Sequence, residues 1–161
     1  MGGCVSALQG AELVRYQSLI YLCENIDPYE VNVDDLSDYG DLIPYMHLRN
    51  ICDYLVVKHS AYTLLEMADY ESSLPYAHLT DGTIDWVKFL SLESGKVLCF
   101  TEVQYYLSCY SISFKCWTLI EGSGTVVGGW CSCDEGFTQC CSHVGALLFA
   151  LEYDYTLNVG S

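Results

Sequence analysis

Lysine and arginine are scarce in this chain. They account for only 6 of its 161 residues, against 21 aspartates and glutamates, so the formal net charge is −15 at pH 7. No two of them are adjacent in the sequence: they are Arg15, Arg49, Lys58, Lys88, Lys96 and Lys115. Proteins that bind duplex DNA neutralise its phosphates with clustered basic side chains. The composition therefore disfavours nucleic acid as a partner and favours a neutral or basic protein.

Long apolar runs are missing as well. Residues 19–23 form an apolar run that is far shorter than the roughly 20 residues of a membrane-spanning helix. The first eleven residues contain no lysine or arginine, so the basic segment that opens a secretory signal peptide is absent from them. We therefore expect an intracellular protein, in the nucleus or the cytoplasm, whose 10 cysteines stay reduced.

One lipid-attachment pattern stands at the start of the chain. Met1, Gly2 and the residues up to Ser6 fit the pattern for myristoylation on Gly2, with Cys4 as a second acylation site. One myristoyl chain binds membranes only marginally, and no polybasic segment follows it here. An acidic flank is also repelled by anionic lipid. We expect an ordinary N-terminus, and membrane attachment only if Gly2 is myristoylated.

The apolar pattern changes period along the chain. Hydrophobic residues make up 52% of the sequence, which is enough for a packed core. They recur at helical spacing in the first half and alternate with a period of two from residue 84 onward. This pattern predicts an α+β fold with N-terminal helices and an antiparallel sheet. The expected segments are helices over 10–24 and 46–57, short helices opening at Thr63 and at Ser72 or Ser73, strands over 84–91, 96–106, 115–120 and 125–130, and a last helix over 143–152.

The clearest chemical signal lies near the end of the sequence. Cys131-Ser132-Cys133 is followed, after seven residues, by Cys141-Ser142-His143 and then by an apolar segment. Three thiolates and one imidazole are a donor set of closed, tetrahedral zinc sites. Residues i and i+2 of a strand point to the same side, so both sulfurs of the first pair can reach one ion. The sequence therefore predicts a structural Zn²⁺ held by Cys131, Cys133, Cys141 and His143.

Three alternatives to this ligand set remain open at this point. Cys140 competes with Cys141 as the third sulfur, although only Cys141 keeps the one-residue spacing to His143. The cysteines could instead be free thiols packed beside a core histidine, or Cys131 and Cys141 could pair as a disulfide in an exported protein. We favour the zinc site, because four donors in register precede an apolar helix.

The same residues resemble the SWIM-type zinc finger, whose pattern is Cys-x-Cys, a variable gap and Cys-x-His. Further stretches resemble the region around the SWIM finger in mobile-element-associated proteins, in which a YqaJ-type viral recombinase nuclease usually follows the finger. These stretches are 51–56, 61–66, 86–87, 117–120 and 124–127. The resemblance implies that Cys131, Cys133, Cys141 and His143 are the zinc ligands. The 161 residues contain no counterpart of the nuclease, so we do not expect its activity here.

Together these features predict a domain organisation and a function. Residues 1–45 are predicted to be an N-terminal helix and an acidic arm, and residues 46–161 an α+β domain with the SWIM-like finger at about 115–152. We expect a non-catalytic, zinc-binding interaction module with a protein partner. The alternative is a nucleic-acid-binding subunit or a remnant of a YqaJ-type recombinase. The other histidines, at positions 47, 59 and 78, have no ligand-spaced neighbours, so surface or helix-end roles are expected for them.

Overall fold

The structure is a computed structural model and describes residues 8–38, 43–106 and 108–159. The predicted α+β class is confirmed, since helices pack around a four-stranded antiparallel sheet. The proposed lipid sites, Gly2 and Cys4, lie outside the described residues. The helices are α1 Gly10–Leu22, α2 Leu48–Cys52, α3 Leu64–Ala68, α4 Leu74–Thr80 and α5 Ser142–Val159. The strands are β1 Ile84–Ser91, β2 Val97–Tyr106, β3 Ser111–Ile120 and β4 Val126–Cys131.

The sheet is a simple meander in which each strand pairs with the next along the chain, in the order β1-β2-β3-β4. Its side chains alternate between two faces, as the period of two requires. On β2, Leu98 and Phe100 belong to one core cluster, whereas Cys99 belongs to the other. The sheet therefore separates two apolar layers, each of which is covered by helices or turns.

The first layer lies between the sheet and α5. Most of the first ten residues of α5 are buried, because the helix lies between the sheet and the helices that precede it in sequence. Gly145 permits the close approach of α4, since a Cβ at this position would lie 2.9 Å from the Pro75 side chain. This layer carries the end of β4, the start of α5 and the loop between them, which together contain all four predicted ligands.

The second layer lies on the opposite face of the sheet, against α1. Trp117 and Trp130 are cross-strand partners there, and both are about 1% exposed. The Tyr16 ring of α1 makes edge contacts with both indoles, at centroid distances of 6.3 and 4.8 Å. Tyr29, in the acidic segment that follows α1, is also buried and donates its hydroxyl to the Lys115 carbonyl. This cluster contains residues from before and after position 45. The domain boundary proposed between residues 45 and 46 stays a prediction.

Two elements are longer than the sequence pattern indicates. Strand β3 begins at Ser111 rather than at residue 115, because residues 111–114 pair with the end of β2. Helix α5 continues to Val159 rather than ending at residue 152, since Tyr153 to Leu157 contain no glycine or proline that would stop it. The predicted capping box at Thr63 is confirmed: its amide donates to Glu66 Oε1 at 2.9 Å and its hydroxyl accepts from the Glu66 amide at 3.1 Å.

Five shorter turns of helix complete the described part of the chain: Pro28–Glu30, Val33–Asp35, the π-helical turn Asp53–Lys58, Tyr70–Ser72 and Gly136–Thr138. The π-helical turn continues α2 directly, so the predicted helix over 46–57 is present with a change of winding after Cys52. Among the residues that the structure describes, no helix combines the length and the apolar character needed to cross a membrane.

Candidate metal centre

Strand β4 and helix α5 place the four predicted ligands at one end of the first layer. Cys131 is the last residue of β4, and Cys133 follows two positions later. Ser132 stays attached to β3, since its amide donates to the Lys115 carbonyl at 3.0 Å and its hydroxyl accepts from the Lys115 amide at 2.9 Å. This extension of the strand pairing holds both neighbouring cysteines at the edge of the sheet.

A tight loop then returns the chain to the start of α5. The amide of Gly136 donates to the Cys133 carbonyl at 3.0 Å, and a Cβ at Gly136 would lie only 1.6 Å from the Cys131 carbonyl oxygen. Gln139 adopts a left-handed conformation with φ of 65°. Its carbonyl accepts a hydrogen bond from the buried hydroxyl of Tyr54 at 2.5 Å. Arg15 of α1 also donates to the Phe137 carbonyl at 3.1 Å. The loop is therefore held by one glycine turn and by contacts with the helical part of the molecule.

The four donor atoms converge. The sulfurs of Cys131, Cys133 and Cys141 and a ring nitrogen of His143 all lie within 4.8 Å of one another. His143 Nδ1 is 3.5 Å from the Cys131 sulfur and 3.9 Å from the Cys141 sulfur. With Zn–S of about 2.3 Å and Zn–N of about 2.0 Å, neighbouring donors of a zinc tetrahedron lie about 3.5–3.8 Å apart. These residues could therefore hold a metal ion with small adjustments.

The burial of the four side chains and the dipole of α5 favour the binding of a cation by the sulfurs. Cys131, Cys141 and His143 are at most 8% exposed, and Cys133 is half-buried. The Cys141 carbonyl accepts from the Gly145 amide at the N-terminus of α5, where the helix dipole favours a thiolate. Hydrogen bonds from Cys131 and Cys141 lower the pKa of Cys133. The remaining protons must leave when a metal binds, so metal affinity rises with pH.

The His143 ring is held from both faces and from its far nitrogen. Phe114 stacks on one side at a centroid distance of 5.0 Å, and His78 lies on the other at 5.2 Å. The Tyr105 hydroxyl is 2.8 Å from His143 Nε2. Metal-binding histidines characteristically engage their second ring nitrogen in such a hydrogen bond, which sets the tautomer and the ring orientation. A metal bound at Nδ1 would place the proton on Nε2, which would then donate to the Tyr105 hydroxyl.

His78 continues this network: it lies at a helix end, one of the two roles expected for it, but it is buried rather than on the surface. It lies in the last turn of α4 but is only 7% exposed, with Nε2 3.1 Å from the Ser142 hydroxyl oxygen. Its ring nitrogens are 3.3 and 3.4 Å from the Tyr105 hydroxyl. Burial, with the neighbouring His143, lowers the pKa of His78, so its ring is neutral at pH 7. Burial also raises the pKa of Tyr105, which stays protonated.

The sequence could not identify His78 and Tyr105 as neighbours of the site. They are 65 and 38 positions before His143, on elements that contain no metal-binding pattern. The strand alternation contained one signal, since it places Tyr105 on the same face of β2 as the buried Cys99 and Val103. No signal of this kind exists for His78, which approaches the site because α4 packs against α5.

The remaining nearby thiols lie outside the converging group. Cys140 is half-buried, and Cys141 rather than Cys140 joins the other donors in the described part of the chain. Cys116 is the cross-strand partner of Cys131 and is fully enclosed in the first layer. Both are free thiols, as are the other seven cysteines that the structure describes. A Cys131–Cys141 disulfide is thus not formed here.

Tyr105→Phe is expected to weaken zinc binding about 10-fold, the lower limit of the effect typical of an outer-shell hydrogen bond, and to leave one ion per chain. The phenyl ring preserves the packing against Phe114 and His143. The variant loses the bond to His143 Nε2 and the longer contacts with the His78 ring nitrogens. Competition with a chromophoric chelator measures the affinity. Tyr110→Phe, at a side chain that is 61% exposed, is the matched control. Equal affinities for the two variants would show that the hydroxyl does not position His143.

The likeness to SWIM-type fingers depends on the spacing of the ligands and on short stretches of sequence. The geometry adds the convergence of the four donors and the support of His143, but it does not by itself assign the chain to a family. Comparison of the chain with protein-family models, with curated proteins and with solved structures gives no match.

Proposed function

We propose that this protein is a zinc-binding interaction module, similar to SWIM-type fingers, in which the metal has a structural role. The observation that carries the proposal is the convergence of three sulfurs and His143 Nδ1 within 4.8 Å, with Nε2 engaged by Tyr105. A metal ligand requires this orientation, because the nitrogen that binds must present its lone pair.

The donor set selects zinc among the common biological cations. Magnesium and calcium prefer oxygen ligands, whereas thiolate and imidazole suit zinc. Zinc takes four such ligands in a tetrahedron. Cys131, Cys133, Cys141 and His143 supply this number from within one chain. The residues present therefore fit Zn²⁺ in both chemistry and number.

A closed set of four protein ligands supports a structural rather than a catalytic role. Catalytic zinc sites keep a position for water or substrate, and three protein ligands are typical of them. In this chain the fourth position belongs to His143, whose burial also limits solvent access. We propose that the protein is not an enzyme and that zinc joins the end of β4 to the first turn of α5.

The stabilisation expected from such a site is large. Structural zinc contributes an apparent binding free energy of about 10–16 kcal/mol in zinc-finger peptides at neutral pH. In this fold the ion would close the loop between Cys131 and Cys141, where the turn at Gly136 and hydrogen bonds from Tyr54 and Arg15 also hold the chain. Metal binding would therefore order the loop and fix the N-terminus of α5.

The net charge supports a protein as the partner. A chain with a formal charge of −15 repels phosphate backbones and attracts basic or neutral surfaces. Nucleic-acid binding, as in a remnant of a recombinase, requires a positive surface, and the six basic residues are dispersed along the sequence. We propose a protein partner on this ground, with the protein inside the cell.

Metal analysis of the purified protein tests the proposal. Wild type is expected to contain about one zinc per chain, and His143→Ala much less, since the alanine removes one of four ligands. His47→Ala is the matched control, because His47 is exposed and lies outside the ligand group. Mass spectrometry under native conditions and elemental analysis measure the metal content.

Two results would contradict the proposal. Equal zinc content in wild type and His143→Ala would reject His143 as a ligand. Wild-type protein that remains metal-free after refolding with excess zinc, while retaining its helices and sheet, would reject a structural zinc altogether. Iron bound in place of zinc would also count against it, and its absorption in the visible range distinguishes the two metals.

A further inference from the structure

Helices α3 and α4 border an open cavity on the surface of the protein. The cavity has a volume of about 600 Å³ and lies within the size range of binding pockets. Tyr62, Leu65 and Leu74 supply its apolar wall, and Glu66, Asp69 and Ser73 its polar rim. We refer to these six residues as the α3–α4 surface.

Leucines on this surface face solvent to an unusual extent. Leu65 is 83% exposed and Leu74 is 59% exposed, and the adjacent Leu64 is 69% exposed. Single exposed leucines need no explanation, but a cluster of them around a cavity marks an interaction site. Both helices are also fixed in place at their first turns, by the capping box of Thr63 and Glu66 and by the Ser73 side chain.

The charge around the cavity has one sign. Glu66, Asp69 and Glu71 are all exposed there. Between Lys58 and Lys88 the sequence contains five acidic residues and no lysine or arginine. An apolar cavity with an acidic rim is complementary to a segment that carries basic residues on either side of an apolar face.

A second exposed apolar groove lacks this combination. On α1, Val14 and Tyr21 are 62% and 73% exposed and line a groove of about 510 Å³. No acidic side chain lines that groove. The α1 groove therefore offers similar apolar exposure without charge complementarity and serves as an internal control.

We propose that the α3–α4 surface docks an amphipathic helical segment of a partner protein with basic residues beside its apolar face. This proposal rests on the proposed function as an interaction module and specifies the class of partner. Apolar side chains of the segment occupy the cavity beside Leu65 and Leu74. Its lysines or arginines pair with Glu66 and Asp69, so binding weakens as salt screens the charges.

Titration with a synthetic peptide tests the proposal. The probe is a short peptide of leucine and lysine in which helical spacing places the leucines on one face, and its acidic twin has glutamate in place of lysine. Calorimetry with zinc-loaded protein is expected to show one binding site for the basic peptide. The double variant Leu65→Ser, Leu74→Ser is expected to weaken binding by at least about 10-fold.

Two pairs of control substitutions distinguish docking at the α3–α4 surface from nonspecific hydrophobic or electrostatic attraction of the peptide. Val14→Ser with Tyr21→Ser removes apolar surface from α1, and Asp34→Asn with Asp35→Asn removes two exposed charges elsewhere. Both control pairs are expected to change the affinity for the basic peptide less than about two-fold. The pair Glu66→Gln with Asp69→Asn is expected to weaken this affinity several-fold and to reduce its salt dependence. Gln at position 66 preserves the capping box, so α3 stays folded.

The outcomes that overturn docking differ from those that overturn the zinc site. The α3–α4 surface would be rejected as the docking site if the α1 pair or the Asp34/Asp35 pair weakened peptide binding as much as the variants of that surface do. It would also be rejected if the acidic twin bound as tightly as the basic peptide. Self-association that Leu65→Ser abolishes would assign the surface to a second copy of the chain, and binding of duplex DNA by the same surface would assign it to nucleic acid. Either result rejects the peptide class. Zinc content is measured in every variant, so a failed metal site is detected separately.

Discussion

Cys141→Ser is expected to abolish stoichiometric zinc binding, whereas Cys140→Ser is expected to leave it intact. The two cysteines are adjacent, but only the Cys141 sulfur lies within the converging group of donors. A serine hydroxyl is a poor ligand for zinc beside two thiolates and an imidazole. The loss of affinity should exceed the 10–100-fold change typical of an outer-shell residue.

Cobalt substitution gives the clearest measurement of this difference. Absorption of Co²⁺ reports how many thiolates coordinate the ion, and wild type and Cys140→Ser are expected to give the same three-sulfur spectrum. Cys141→Ser should give a weaker spectrum or none, together with faster hydrogen exchange in the first turns of α5. If Cys140→Ser lost the metal and Cys141→Ser retained it, the third sulfur would have been assigned to the wrong residue.

Gly136→Ala is expected to destabilise the fold and the metal site together. A Cβ at this position would lie 1.6 Å from the Cys131 carbonyl oxygen and 2.4 Å from its carbon, so the backbone of a ligand residue must move. No flexible side-chain end is available to yield, since the nearest atoms belong to the backbone. We expect a loss of more than about 3 kcal/mol in the free energy of unfolding, the upper limit of ordinary overpacking.

Gly122→Ala is the matched control for this variant. Gly122 lies in the β3–β4 hairpin, and a Cβ there would meet nothing within 4 Å. Denaturant unfolding of the zinc-loaded proteins gives the two stabilities, and chelator competition gives the two affinities. Comparable stabilities for Gly136→Ala and Gly122→Ala would mean that the 133–136 turn adapts without displacing Cys131.

The sequence pattern was sufficient for the class of the fold and for most of its elements. The change from helical spacing to alternation at residue 84 separated the helices from the sheet, because each period places apolar residues on one face of one kind of element. Local signals also located helix starts at Thr63 and Ser73, where side-chain hydroxyls cap free amides. The start of β3 and the end of α5 differ from the prediction, since pairing with β2 extends the strand and no glycine or proline within Tyr153 to Leu157 stops the helix.

The candidate ligands were equally accessible from the sequence, because they come from two short clusters at the ends of adjacent elements. A strand end and a helix start that are joined by seven residues cannot lie far apart, so their side chains share one neighbourhood. The choice between Cys140 and Cys141 had to depend on spacing alone. The structure separates them, because the sulfur of Cys141 lies within the converging group of donors and that of Cys140 does not.

The surroundings of the site were decided by tertiary packing. Tyr105 comes from β2 and His78 from α4, and nothing in the local sequence of either element reports that His143 lies beside it. The approach of α4 to α5 at Gly145 and the pairing of β2 with β3 bring both rings to the same end of the layer. The sequence alone predicted the donor atoms, which the structure brings together, and it predicted zinc as the ion, because both predictions depend on residue type and spacing. Only the packed structure determined which nitrogen of His143 faces the sulfurs, because that orientation depends on side chains distant in sequence.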